Sequence, residues 1–285
     1  MKYRLLITDL DNTLYDWVTF FSTAFTAMVE ELARLLSVPE AQLLAEFQAV
    51  HRKYGTSEPP FAALELPSVL RAYPGYSPNE LATAIDPAFH RFNSERTRTL
   101  QLYPGVAETL TRLGALGIDV VGHTEASSEN AYFRLRKLDI DRFFRKLYVL
   151  ESRIPPHPSL ERTNRIAPPI GYIESVPHAE RKPNPRLLLD ICQREGFSPS
   201  ETLYVGDSIT RDISMAHDAG VVSAWARYGT RYERRLWDAL VSVSHWTPDD
   251  VERESRLRDA AKSVKATYTL DSFPSILPIV EDGAA

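Results

Sequence analysis

Leu5-Leu6-Ile7-Thr8-Asp9-Leu10-Asp11-Asn12-Thr13-Leu14-Tyr15 is the stretch on which the reading of this chain turns. Residues 5–7 form an apolar run, the mark of a short buried strand, and two carboxylates follow at positions i and i+2. At strand spacing Asp9 and Asp11 share one face. Two acids that close repel, and a bound cation or a shared proton is the simplest relief. The competing reading is a strand that ends in a capped turn, because Asp-Asn-Thr is ordinary turn composition. On this stretch alone the two readings stand level.

Outward from it, the periodicity turns helical. Phe21, Phe25, Met28, Leu32 and Leu35 recur at three- and four-residue steps, which predicts a helix over 17–36. A second helix starts near Pro39, runs through Leu43, Phe47 and Val50, and ends at Gly55. Pro-containing breaks at 58–60 and 73–75 separate shorter helical pieces. Residues 17–98 thus read as an all-helical cap with no strand, inserted into a discontinuous core of residues 1–16 and 99–285. From Leu102 onward helix and strand alternate. Helices are expected at 105–116, 128–138, 184–195 and 209–219, and strands at 118–124, 146–150, 202–205 and 221–225. Such alternation specifies an α/β fold, a doubly wound parallel sheet of Rossmann-like type with right-handed crossovers. Residues 228–265 read as two helical pieces, 268–270 as an edge strand and 274–277 as a short helix. Residues 151–181 hold six prolines and read as a long, partly extended loop.

Bulk properties narrow the function. The chain has 285 residues, 44% of them hydrophobic and 25% charged, as in an ordinary globular protein. A net charge of −5 argues against a nucleic-acid or anionic-membrane partner. The single cysteine, Cys192, rules out an intramolecular disulfide framework and suits a reducing cytoplasm. Its apolar neighbours make it a core residue rather than a nucleophile. No apolar run reaches the length of a membrane span. Asp9 and Asp11 interrupt what would be the apolar region of a signal peptide. The expected location is therefore cytoplasmic.

In doubly wound sheets ligands bind beyond the carboxyl ends of the strands, and there the sequence places a coherent set of groups. Strand one delivers Asp9 and Asp11, and the next delivers the hydroxyl of Thr124. Lys182-Pro183-Asn184-Pro185 sets an ammonium beside a helix start. A later strand runs into Gly206-Asp207-Ser208, with Asp212 five residues past Asp207. Carboxylates, a cation, a hydroxyl and a helix N-terminus are what Mg2+-assisted phosphoryl chemistry requires. Individually each has a duller account. Thr124 could cap the next helix, Lys182 could be solvated, and Asp212 could favour a helix dipole. The histidines show no ligand spacing and read as structural.

The chain resembles the haloacid dehalogenase superfamily, specifically its magnesium-dependent phosphatases with a helical (C1-type) cap. Asp9, Asp11 and Thr13 match the Asp-x-Asp-x-Thr motif, Thr124 the hydroxyl motif and Lys182 the lysine motif. Residues 206–212 match the acidic motif with its spacing. The resemblance covers roughly residues 3–227 and implies the following roles. Asp9 is the nucleophile that forms an aspartyl-phosphate. Asp11 protonates the leaving oxygen and later activates water. Mg2+ sits on the Asp9 carboxylate, the Asp11 carbonyl and Asp207. Asp9, Thr124 and Lys182 bind the phosphate, with Thr13, Ser208 and Asp212 supporting them from behind.

The expected activity is Mg2+-dependent hydrolysis of a small phosphorylated metabolite by a monomer or homodimer. Alternatives are a phosphomutase, which shares the catalytic groups, a phosphonatase using cap Lys53, and a non-catalytic binding member. Asp11 speaks against a dehalogenase, which needs no leaving-group acid. Arg52, Lys53, Arg71 and Arg91 read equally as substrate contacts of the cap or as solvated faces. The length of 151–181 departs from the family pattern.

Overall fold

The computed structural model describes residues 2–151 and 167–281. Strand β1 (Leu5–Thr8) is buried along its whole length. Leu5 and Ile7 join one apolar cluster with Val121, Leu188 and Tyr204. Leu6 joins another with Val120 and Leu203. Both faces of the strand are covered, which is why its sequence is continuously apolar rather than alternating.

Between β1 and residue 100 come only helices: α1 (Trp17–Leu36), α2 (Glu40–Tyr54), α3 (Pro67–Ala72), α4 (Pro78–Ala84) and α5 (Asp86–Thr99). The start of α1 is fixed by two side chains. Asp16 accepts the backbone N–H of Thr19 at 2.9 Å, and Asn12 accepts those of Trp17 and Val18 at 3.1 and 3.3 Å. Asn12 occupies the left-handed region at φ 58°, which asparagine tolerates better than most residues. The turn after β1 thus aims the chain out of the sheet. Gly55, at φ 65°, ends α2 as the sequence predicts.

The remaining elements are α6 (Val106–Ala115), β2 (Asp119–Thr124), α7 (Ser128–Lys137), β3 (Lys146–Leu150), β4 (Ile173–Val176), α8 (Pro185–Glu195), β5 (Thr202–Gly206), α9 (Ser214–Asp218), β6 (Val222–Ala226), α10 (Arg234–Ser242), α11 (Pro248–Ala260), β7 (Tyr268–Leu270) and α12 (Ile276–Glu281). The strands form one parallel sheet in the order β4-β3-β2-β1-β5-β6-β7. The chain first steps from β1 toward β4 and then returns to β5 on the other side of β1. That reversal opens a crevice at the carboxyl ends of β1, β2 and β5.

Two sequence expectations change. The stretch read as a loop over 151–181 contains strand β4; its residues 152–166 lie outside the described residues. Ile173-Glu174-Ser175-Val176 escaped notice because two polar residues interrupt it and only Val176 is buried, so no apolar run marks it among the prolines. The helix expected over 209–219 is a wide π turn, Ile209–Ile213, followed by α9. Ser208 O accepts from both Asp212 N (2.9 Å) and Ile213 N (3.1 Å) while the Asp212 carboxylate takes Ser208 N–H, which widens the turn.

Helices α10 and α11 leave the sheet between β6 and β7 and touch different parts of the molecule. On the α10 side, Ser22 Oγ donates to Leu236 O at 2.8 Å and His51 Nδ1 donates to Val243 O at 2.6 Å. Ser57 Oγ lies 3.0 Å from His245 Nδ1. On the α11 side, Glu254 accepts from Thr210 Oγ1 at 2.9 Å and from Arg211 at 3.2 Å. One helix is thus bonded to α1 and α2, the other to the turn after β5.

Candidate active site

Asp9 directly follows β1, and its N–H donates to Val205 O of β5 at 2.8 Å, which continues the strand ladder by one residue. Its side chain is almost buried. One carboxylate oxygen lies 2.7 Å from Lys182 Nζ, and the other accepts from Thr13 Oγ1 at 3.3 Å. Lys182 Nζ also donates to Asp212 at 2.8 Å. Asp212 in turn accepts from Tyr204 OH at 3.0 Å and from Ser208 N at 3.1 Å. Oxygens of Asp9, Asp207 and Asp212 lie within 4.8 Å of one another. The loop that carries Asp207 is held by Trp225 Nε1, which donates to Asp207 O at 2.8 Å.

Gly206 is required here by close approach. A Cβ at that position would come within 2.4 Å of the Asp212 carboxyl carbon. Glycine before Asp207 therefore lets Asp212 fold back beneath the strand end and meet Lys182.

Three carboxylates against one ammonium leave two formal negative charges in a nearly dry pocket. Burial, followed by repulsion from Asp9 and Asp212, pushes the Asp207 carboxyl well above its usual range. Burial pushes Asp9 up to about 7, with Asp212 adding to the rise and Lys182 opposing it. For Lys182, burial favours the neutral amine, but Asp212 and Asp9 outweigh it and hold the ammonium charged. A divalent cation would cancel the excess charge, and an all-oxygen donor set suits a hard ion. The residues present thus fit a metal at Asp9 and Asp207.

The cluster also has a pH signature. The folded chain holds a proton on Asp9 up to about 7, whereas the unfolded chain releases it in the ordinary carboxyl range. Between these limits the folded state binds more protons, so the stability of the metal-free protein falls as pH rises. Metal binding needs the deprotonated ligands and therefore strengthens over the same interval. We expect Mg2+, held at one concentration a hundredfold above its Kd at pH 8, to stabilise the chain there by about 2.7 kcal/mol. In thermal unfolding the rise in Tm should be larger at pH 8 than at pH 5 and lost in Asp207→Asn. An equal rise at both pH values would refute the linkage.

Not every residue singled out from sequence meets the cluster through its side chain. Asp11 turns instead toward Arg134, whose Nη1 donates to both carboxylate oxygens at 2.9 and 3.2 Å. Thr124 is buried at the end of β2, and its hydroxyl accepts Ala126 N–H at 3.1 Å. That leaves its own hydrogen to donate. Ser208 shapes the π turn by accepting Arg211 N–H at 3.3 Å. His123 is buried against Tyr204 and kept neutral by desolvation. Of the four cap cations, Lys53 pairs with Glu65, Arg71 with Glu46, and only Arg52 lines the cleft.

Arg134 was missed. It is 1% exposed on α7, and its Nη2 donates to Glu58, which follows α2. A signal existed in the sequence: Ala131, Arg134, Leu135 and Leu138 share one helical face, and an arginine in an apolar stripe needs a partner.

Comparison with known proteins agrees with this geometry. A family model for haloacid dehalogenase-like hydrolases matches residues 3–220. The chain belongs to that family and is a hydrolase. It is 27% identical over 231 residues to a glyceraldehyde 3-phosphate phosphatase of Methanopyrus kandleri, covering 79% of this chain and 84% of that protein. It is 26% identical over 233 residues to a phosphoglycolate phosphatase of Pseudomonas syringae pv. tomato, covering 82% and 72%. Among solved structures, a 2-haloacid dehalogenase from Pseudomonas syringae pv. tomato shares the fold with a TM-score of 0.57 at 18% identity, covering 99% of this chain and 100% of that one. YfnB of Bacillus subtilis, a HAD hydrolase bound to magnesium, aligns with a TM-score of 0.53 at 18% identity, covering 99% of this chain and 100% of that one.

Proposed function

We propose that the chain is a Mg2+-dependent phosphatase of small phosphate monoesters that works through an aspartyl-phosphate on Asp9. The observation that carries this reading is the single ammonium of Lys182, held between Asp9 and Asp212 at 2.7 and 2.8 Å beside Asp207. A fixed cation against a carboxylate that needs a metal suits the binding of a phosphoryl group next to a nucleophile. The names of the similar phosphatases favour the same reading.

Asp9 attacks phosphorus and carries the phosphoryl group. Lys182 and the Thr124 hydroxyl orient the phosphoryl oxygens as charge shifts toward them. Asp11, in the turn just beyond, protonates the leaving oxygen and then takes a proton from the attacking water. Thr13 fixes one Asp9 oxygen, and Asp212 fixes Lys182. Mg2+, held by Asp9, the Asp11 carbonyl and Asp207, supplies charge neutralisation when bound. Residues 17–98 serve as a cap that covers the substrate, on a core of residues 1–16 and 99–285. The lone thiol, Cys192, and the absence of a helix long enough to cross a membrane among the described residues suit a cytoplasmic enzyme.

The decisive experiment is a panel of phosphate monoesters with Mg2+ present, repeated with EDTA. Release of phosphate that EDTA stops supports the proposal, and no release from any ester sinks it. A phosphonatase would instead be inactivated by borohydride together with its substrate.

A further inference from the structure

Two adjoining pockets, an inner chamber and an outer groove, share one wall. An inner chamber of ≈140 Å³ is bounded by Glu58 from the cap side, Glu125 and Asn130 from the core, and Arg211. It opens into an outer groove of ≈660 Å³ that shares Arg181, His245, Asp250 and Arg253 with it and adds Arg52 of α2. The groove lies close to the chemistry: Arg181 precedes Lys182 in the chain, and Arg253 donates to Lys182 O at 2.9 Å.

The two spaces differ in charge. In the chamber Arg211 is spoken for, pairing with Glu125 at 2.9 Å and Glu254 at 3.2 Å. Among the described residues lining the groove, Arg52, Arg181 and Arg253 face one acid, Asp250, which lies 3.5 Å from Arg181. Arg253 spends its bond on a neutral carbonyl, and Arg52 has no ion pair among the described residues. His245 is neutral, since burial pushes it down to about 4. Desolvation and then the charges of Arg181 and Arg211 depress Arg253, with Glu125 and Glu254 opposing. This occurs in a chain whose net charge is −5. Two arginines that line one groove, neither in an ion pair among the described residues, can serve an oxyanion as a fork.

We propose that the outer groove, built by Arg52, Arg181 and Arg253, is a subsite for a second anionic group on the substrate. Resting on the phosphatase reading, it makes the substrates phosphate monoesters with a carboxylate or a second phosphate at the far end. The excursion of α10 and α11 supplies one side of this fork and the cap the other, so the subsite is complete only when both are in place.

The test compares phosphate monoesters of ω-hydroxy acids of increasing length, and the corresponding bisphosphates, with monoesters of the matching neutral alcohols. The anionic series should be preferred in kcat/KM, with an optimum chain length. In Arg52→Gln that preference should fall about tenfold, the loss of one charge-assisted contact, and mainly through KM. A wild-type protein that does not distinguish the two series, or a preference that Arg52→Gln leaves unmoved, overturns the subsite while leaving the phosphatase intact. If carboxylates are favoured over bisphosphates, the fork is built for a carboxylate, and the reverse order assigns it to a phosphate. If no ester is hydrolysed, the phosphatase reading fails instead. The groove is then probed by calorimetry with succinate and with inorganic phosphate. Binding that Arg52→Gln weakens supports the subsite, and no binding by either anion removes it.

Discussion

Asp9→Asn is expected to lower turnover by at least about 10⁴-fold, the order seen when a covalent nucleophile is lost. The fold should survive the change, for a specific electrostatic reason. Asp9 is one of three acids around one ammonium, and burial already raises its proton affinity. Removing its charge relieves repulsion on Asp207, and Lys182 keeps Asp212 at 2.8 Å. The metal-free variant should therefore be at least as stable as the wild type above neutral pH, while its stabilisation by Mg2+ shrinks. Phosphate release and thermal unfolding, measured on the same sample, check both halves. Turnover within tenfold of wild type would remove Asp9 from the chemistry.

The second large effect is expected at Arg134. Its guanidinium joins the Asp11 carboxylate to Glu58 and lies over the Phe20 ring at 5.3 Å. Arg134→Met keeps the apolar stem but leaves two acids facing each other without a cation. Breaking a buried ion pair in this way costs about 3–5 kcal/mol, read as a lowered urea midpoint. Arg134→Lys should recover only part, because a single ammonium cannot hold two carboxylates in a planar fork. Glu58→Gln should cost less than Arg134→Met, since the pair with Asp11 survives. A midpoint unchanged in Arg134→Met would show that the triad contributes nothing to stability.

How much of this was legible in the sequence follows from what kind of signal each part leaves. The alternation of elements came through because parallel strands are buried on both faces and their crossing helices keep a 3.6-residue period. The acids at strand ends came through because polar groups after an apolar run stand out. Gathering Asp9, Lys182, Asp207 and Asp212 rested on the family resemblance, since residues up to 203 positions apart carry no local trace of being neighbours. Strand β4, Ile-Glu-Ser-Val, has no apolar run and buries only its last residue, so it left no strand signal. Arg134 was hidden by habit, because an arginine on a helix is normally read as solvated. Which cap cation reaches the cleft was open in the sequence. Only the acids across from Lys53 and Arg71 decide it, and these come from other segments.

The excursion between β6 and β7 bears on how a cap could move. Helix α10 is bonded to α1 and α2, while α11 is bonded to the turn that carries Asp212. Only the five residues 243–247 join them, and drawn straight the link from Ser242 to Pro248 reaches at most about 21 Å. For a cap of the kind proposed, this linker would act as a tether. A cap swinging away with α10 would be checked by a short leash whose far end is bonded to the turn that carries Asp212. The leash passes His245 through the shared wall of the cleft, so such a swing would also move part of that wall.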